Sequence, residues 1–451
     1  MENKNSAPVG SAARLRRSLT LWDLVLYGVI VVQPVAPMSV FGVLSDRSHG
    51  YAVTTILIAM VAMLFTAISY GRMARVYPSA GSAFTYVGQE ISPALGYITG
   101  WGMVMDYLLN PMICIIWCSQ QAHVFAPNVA YWAWAVFFAA VFTGLNIQGV
   151  KSSARVNFGL AVAMGVVIAI FFVVAARYIF GHHAGAHFFW HPFYDPATWN
   201  TKAVLGGTSI AVLTYIGFDG ISTLSEEVEN PRRNILLATV MTCLVIGILS
   251  AIQVYAAQLI WPASQAFPNV DTAFVHVAAR AWHPMFIIVG FTLLVANFGS
   301  GMGAQLGAAR LLYGMGRSEA LPKSFFGKVD PKRHVPRNNV ICVGLIALGG
   351  AFIMSYALGA EMLNFGALIA FMGVNAAAFV HYFLRAEEKK ITHFIPPVAG
   401  FCICLLLWLN LSHTAILAGV IWMAAGISFG AWKTHGFRKN LINFELPAED
   451  A

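Results

Sequence analysis

Charge is what this sequence has least of. Asp, Glu, Lys and Arg make up 10% of its 451 residues, where a soluble domain carries roughly 25%. That shortage excludes a soluble globular chain. The 58% hydrophobic content and a mean hydropathy of +0.69 mark an integral membrane protein. Cysteine is scarce too. Cys114, Cys118, Cys243, Cys342, Cys402 and Cys404 all sit in apolar stretches, so no framework of extracellular disulfides is implied. Cys114 and Cys118 share a helix face and read as packing rather than as metal ligands. Catalytic signatures are also missing. No H-E-x-x-H, no G-x-S-x-G and no Walker loop occurs, which argues against an intramembrane enzyme and against ATP-driven transport by this chain alone. No metal or organic cofactor is implied, and a coupling ion, H+ or Na+, is the one small partner left open. The first twenty residues are polar and basic and lead into no small-residue cleavage site, so no cleaved signal peptide is expected.

Apolar runs fill the rest. Twelve spans are expected, at 21–44, 51–71, 93–122, 131–149, 156–180, 203–226, 235–261, 284–314, 339–358, 362–384, 394–411 and 414–432. Polar tails remain at 1–20 and 433–451. With the N-terminus inside, all of the 27 Lys and Arg except Arg47, Arg177, Lys202 and Arg280 fall on inner segments. The positive-inside rule then puts both tails in the cytoplasm of a bacterial-type inner membrane and agrees with an even span count. Charges spread over separate ends are a poor nucleic-acid surface; lipid and a small solute are the expected partners. The loop 181–202, with His182, His183, His187 and His191, reads as solvated rather than as a metal site.

Two spans are interrupted. In the first, Gln33-Pro34-Val35-Ala36-Pro37-Met38-Ser39 places two prolines at membrane depth. Proline lacks a backbone N–H, so nearby carbonyls are freed. Such a defect survives only where protein buries it or a wet cavity meets it. The sixth span repeats the device with Tyr215-Ile216-Gly217-Phe218-Asp219-Gly220, at the same distance from its start. Matching breaks in two halves predict an inverted repeat with a binding site between the breaks. Its halves are 21–180 and 203–385, with 394–432 peripheral. Between spans two and three, the turn-rich stretch Tyr77 to Tyr86 reads as re-entrant or interfacial. In the eighth span, Gly299, Gly303 and Gly307 are expected to let another helix approach.

The site chemistry follows from these breaks. Gln33, Val35, Ala36, Met38 and Ser39 line the first, with free carbonyls near 33–36 and 214–217. Tyr215, Gly217, Phe218 and Asp219 line the second, although Phe218 reads equally well as ordinary core. Asp106, beside Tyr107 in the third span, is a carboxylate at membrane depth and so a functional candidate by default. Glu226 and Glu227, with Asn297 and Ser300, are gate or coupling candidates. Acids outnumber bases at membrane depth, which favours a cationic amine or a substrate with a free ammonium. A diamine needs acceptors at both ends and aromatic walls; a zwitterionic amino acid also needs helix N-termini for its carboxylate. A channel would need a continuous wet pore, whereas paired breaks suggest an occluded site.

These residues carry a resemblance. Gly217-Phe218-Asp219, Glu226-Glu227, Asn230-Pro231-x-Arg233, Tyr77-Pro78-x-Ala80-Gly81-Ser82-Ala83 and the Gly149 to Asn157 loop resemble the amino acid–polyamine–organocation (APC) superfamily of secondary transporters, over about 12–435. Phe65 to Gly71, Asp106-Tyr107-Leu108, Thr223 to Glu227 and Asn364 to Leu368 are similar to bacterial putrescine importers. The resemblance implies a five-plus-five inverted-repeat fold of twelve helices and alternating access. It also implies roles for Tyr107 and for an acid of the Glu226-Glu227 pair in substrate recognition. Amino-acid permeases of the superfamily usually carry a Gly-Ser-Gly-type turn where this chain has Ala36-Pro37-Met38-Ser39. Putrescine importers tend to have an acid near Ser39, and some proton-coupled relatives a lysine near Met164. The expected function is import of polyamines or amino acids, with a neutral amino-acid permease or an exchanger as the alternative.

Overall fold

The computed structural model describes residues 19–77, 82–149, 154–182, 186–224, 228–317, 321–333 and 335–437. Glu226 and Glu227 lie outside them. The helices are α1 (Leu21–Val32), α2 (Ala36–Arg47), α3 (Ala52–Val76), α4 (Ser82–Glu90), α5 (Pro93–Phe125), α6 (Tyr131–Gln148), α7 (Ala154–His182), α8 (Ala186–Trp190), α9 (Thr201–Ala211), α10 (Pro231–Ile260), α11 (Ala273–Ala281), α12 (Met285–Arg317), α13 (Lys323–Phe326), α14 (Arg337–Ile353), α15 (Tyr356–Phe379), α16 (Ile391–Leu409) and α17 (His413–Lys433). Among the described residues no strand forms; Leu19 and Val228 make an isolated parallel bridge.

Helix starts follow local chemistry. The Thr20 hydroxyl accepts the Asp23 amide, and the Asp23 carboxylate accepts the Thr20 amide at 2.9 Å, a reciprocal cap for α1. Ser92, Asn200, Ser355 and Ser412 cap α5, α9, α15 and α17 with their side-chain oxygens.

Nine helices among the described residues are long and apolar enough to cross a membrane, and the bent pair α1–α2 makes ten. The expected fourth and ninth segments are occupied by α6 and α14, of 18 and 17 residues. At about 1.5 Å per residue, 17 residues reach roughly 26 Å, just under the thickness of a bilayer core.

The interior is built around α5, whose most apolar stretch is 78% buried, against 22% for α7 and for α16. Small residues set the central contacts. At Gly102 and Gly366, α5 and α15 meet backbone to backbone. Gly96 meets the Gly88 backbone, and Gly100 faces the Phe84 ring, so the small-residue face of α5 receives α4. The expectation for α12 is corrected. An added Cβ at Gly299 or Gly303 meets nothing within 4 Å, and Gly307 faces only the Tyr107 ring at 3.3 Å. The close approach uses Gly301 instead, against Phe142 and Cys114. A step of four drifts around a helix of 3.6 residues per turn, so the glycine spacing alone misassigns the packed face.

Candidate functional site

The first break is a turn of three residues. Gln33 takes φ 67° and ψ 118°, Pro34 and Val35 redirect the chain, and α2 leaves at 47° to α1. Pro37 falls in the first turn of α2, where the N–H it lacks would have had no intrahelical acceptor. At this break the expected free carbonyls are not free. The Gln33 carbonyl accepts the Ala36 amide at 3.1 Å, and that of Val35 accepts the Met38 amide at 3.0 Å. The Pro34 carbonyl accepts the side-chain amide of Gln253 from α10 at 3.0 Å. A bare carbonyl in an apolar interior costs several kcal/mol, so the fold supplies donors.

Other expected site residues fasten this break to its neighbours. Gln33 donates to the Ala296 carbonyl at 3.0 Å. The Asn297 amide donates to the Ser39 hydroxyl at 3.0 Å and to the Leu293 carbonyl at 2.9 Å. The Ser39 carbonyl accepts the Trp117 indole N–H at 3.2 Å. Val35 and Met38 are buried and Ala36 half-buried. Ser300, one turn beyond Asn297, is half-buried beside Cys114.

The second break is looser. After α9 the chain tightens into a 3₁₀ turn at Val212–Thr214, turns through 215–217, and continues as 3₁₀ through Phe218–Leu224. Gly217 has φ 116°, a conformation that costs a side-chain-bearing residue heavily. Gly220 has an ordinary φ, so Gly217 is the residue that permits the unwinding. An added Cβ on Gly217 would stand 3.0 Å from Val31 Cγ1 and 3.4 Å from Val32 Cγ2. The two breaks therefore face each other.

Two aromatic candidates are enclosed. The Tyr215 hydroxyl donates to the Ile56 carbonyl of α3 at 2.9 Å, and Phe218 packs against Tyr70 and Phe371. The acids differ. Asp219 accepts the Gly217 amide at 3.2 Å and stays half-buried. Asp106, also half-buried on α5, makes no hydrogen bond or ion pair among the described residues, and it lies within electrostatic range of Asp219. Neither acid pairs with a Lys, Arg or His among those residues. Tyr107 and Tyr27 border the same space, the latter 4.0 Å from a Cβ placed on Gly220. Pro111 inside α5 has no N–H to give the Tyr107 carbonyl, which loses its donor one turn on. Two half-buried carboxylates and two phenols thus converge beside the paired breaks.

A family model for amino acid permeases matches residues 38–444. The chain belongs to the amino acid permease family. It is 35% identical over 451 residues to the low-affinity putrescine importer PlaP of Escherichia coli (strain K12), an alignment covering 98% of this chain and 99% of PlaP. It is 26% identical to the branched-chain amino acid permease BcaP of Bacillus subtilis, over 92% of each chain. The vacuolar cationic amino acid transporter 4 of Arabidopsis thaliana is also 26% identical, over 84% of this chain and 64% of the plant protein. This permease is an integral membrane transport protein, not an enzyme.

Several residues around the permease site are not among the site candidates that the sequence offers. Gln253 and Trp117 look like ordinary members of apolar helices, and only the fold shows them holding the first break. Tyr70 and Tyr86 are fully buried near Asp219, and the Ser82 and Ser222 hydroxyls lie 3.2 Å apart beside them. A signal for part of this set existed: Ser82, Tyr86 and Glu90 recur at steps of four, one helix face.

Proposed function

We propose that this permease is a secondary active importer of small organic amines of the putrescine type, working by alternating access between the paired breaks. The observation that carries the reading is the pair of half-buried carboxylates, Asp106 and Asp219, within electrostatic range of one another and without a basic partner among the described residues. An unpaired carboxylate at membrane depth is costly, and an ammonium group or a proton meets its charge. The first turn of α2 points the same way. Its Ala36 and Met38 amides are already bonded and Pro37 has none, so it offers a substrate carboxylate little. In this reading Asp106, Asp219 and Tyr107 receive the ammonium ends. Twelve spans arranged as two inverted sets of five, with two peripheral spans and both termini in the cytoplasm, complete the proposal; the basic residues at the ends of α3, α10 and α15 support that orientation.

The alternative, a permease for neutral amino acids, draws on the similarity to BcaP. The two are separated by uptake into proteoliposomes of labelled putrescine and, in parallel, a labelled neutral amino acid, each with a proton gradient, a sodium gradient or neither. Gradient-driven putrescine uptake, lost in Asp106→Asn, is the expected result. Amino-acid uptake without putrescine uptake would overturn the amine reading.

A further inference from the structure

A second polar assembly lies on α4 and leads away from the acids. Ser82, Tyr86 and Glu90 share one face of this helix at steps of four, and all three are buried. At its inner end, Tyr86 and the neighbouring Tyr70 of α3 lie within electrostatic range of Asp219. Both phenols are completely buried, and neither hydroxyl has a well-formed hydrogen bond among the described residues. Their nearest polar neighbours are Ser82 and Ser222, whose hydroxyls lie 3.2 Å from one another. Buried hydroxyls are rarely left without a partner, and a cluster of them suits bridging water.

At the outer end, Glu90 is 1% exposed and held by three donors. Tyr77 donates at 2.7 Å, Arg385 at 2.8 Å, and a His381 ring nitrogen lies 2.6 Å away. Burial and the hydrogen bond to Glu90 push the Tyr77 phenol up to about 12, so Tyr77 stays a donor. This cluster lines an open cavity of about 510 Å³, with Lys390 and His393 across it. His381, with a third of its side chain exposed, links the buried acid to that cavity.

We propose that Tyr70, Tyr86, Ser82, Ser222 and Glu90 form an internal proton route from Asp219 to His381 and the cytoplasmic cavity. A proton leaving the Asp219 carboxyl passes along hydroxyls and bridging water, each oxygen accepting one proton and releasing another. It reaches Glu90 and His381, and the imidazole releases it to water. No other reactant is needed. The Glu90–Arg385 pair keeps the outer end in place while the proton moves. This rests on the importer reading and adds that the coupling ion is the proton.

Wild type and Tyr86→Phe are compared in proteoliposomes holding a trapped pH dye. Phenylalanine keeps the edge contact with Tyr70 and removes only the hydroxyl. Two readouts are taken with whichever labelled substrate, putrescine or a neutral amino acid, the wild type carries. These are substrate-driven proton influx and counterflow of labelled against unlabelled substrate without a pH gradient. Tyr86→Phe should lower proton influx about 100-fold or more, the scale of losing one proton-transfer group, and leave counterflow intact. Glu90→Gln, which keeps an acceptor for Tyr77, should behave alike. Wild-type proton influx in both variants, or equal loss of influx and counterflow, would overturn the route. Wild-type uptake without proton movement would sink it while sparing the importer reading; no uptake of either substrate would sink both.

Discussion

Gly217→Ala tests the contact between the two breaks. Gly217 has φ 116°, and its added Cβ would meet Val31 Cγ1 at 3.0 Å. Holding an alanine in such a backbone conformation costs of order 1–3 kcal/mol. The Val31 contact adds a smaller term, because that methyl must move by a few tenths of an ångström. Strain on this scale shifts an equilibrium by about 5- to 150-fold against the conformation described here. The assay is thermal loss of monodisperse protein in detergent, alongside substrate binding. Gly220→Ala is the control, since Gly220 has an ordinary φ and its nearest neighbour is Tyr27 Oη at 4.0 Å. Gly217→Ala should be clearly less stable than wild type and Gly220→Ala close to it. Gly217→Leu should also lose binding, as its bulk fills the space between the breaks. Equal stability of the two alanine variants would refute the assignment of the unwinding to Gly217.

Gln253→Leu should destabilise the protein by about 1–3 kcal/mol, toward the lower figure, by stripping the Pro34 carbonyl of its donor. The loss is moderated because the other Gln253 side-chain atom, Oε1, is itself without a partner among the described residues; melting temperatures in detergent test this. Asp271, in the segment before α11, has its carboxyl pushed up by desolvation. A raised acid favours folding below its ordinary value of 3.8, and that contribution is lost as pH rises through the folded value. Asp271→Asn should therefore raise thermal stability at neutral pH and flatten its fall from mildly acidic to neutral pH; an unchanged profile would refute the burial cost. Glu361, with its side chain 6% exposed, accepts the Ser412 amide at 3.0 Å and pairs with Arg47 at 3.6 Å. Because Arg47 is half-exposed, Arg47→Gln should cost about 1 kcal/mol or less, while Glu361→Ala, which also takes the acceptor from the amide of Ser412, the N-cap of α17, should cost more. The reverse order in melting experiments would contradict this.

Which of these features could be read in the sequence depended on whether one residue type sufficed to specify them. The prolines at 34 and 37 and the glycine at 217 impose backbone behaviour by themselves, so both breaks were legible, as were Asp106 and Asp219. What the broken backbone does with its polar groups was not. The donors to Pro34 and Ser39 come from Gln253 and Trp117, distant in sequence and in helices with no marking pattern. The expectation of free carbonyls at 33–36 failed because a sequence displays the missing donor and not its replacement. The α12 glycines failed differently: spacing fixes a stripe on a helix, and only the packed neighbours decide whether that stripe meets a helix or open space.

That replacement also bears on specificity. In a break whose donors and acceptors were spare, a substrate carboxylate would meet amides and an ammonium would meet carbonyls, and a zwitterion would satisfy both. Here the first break is closed on itself by Ala36, Met38 and Gln253, and fastened to α12 through Gln33 and Asn297. The polar capacity that remains is in Asp106 and Asp219, and it is acceptor-rich. A carboxylate placed there would face two acids with no base among the described residues to offset them, while each ammonium added would remove a repulsion between the carboxylates as well as gain an attraction. Two ammonium groups complement two acids better than one, which is the electrostatic argument for a diamine over a neutral amino acid in this permease.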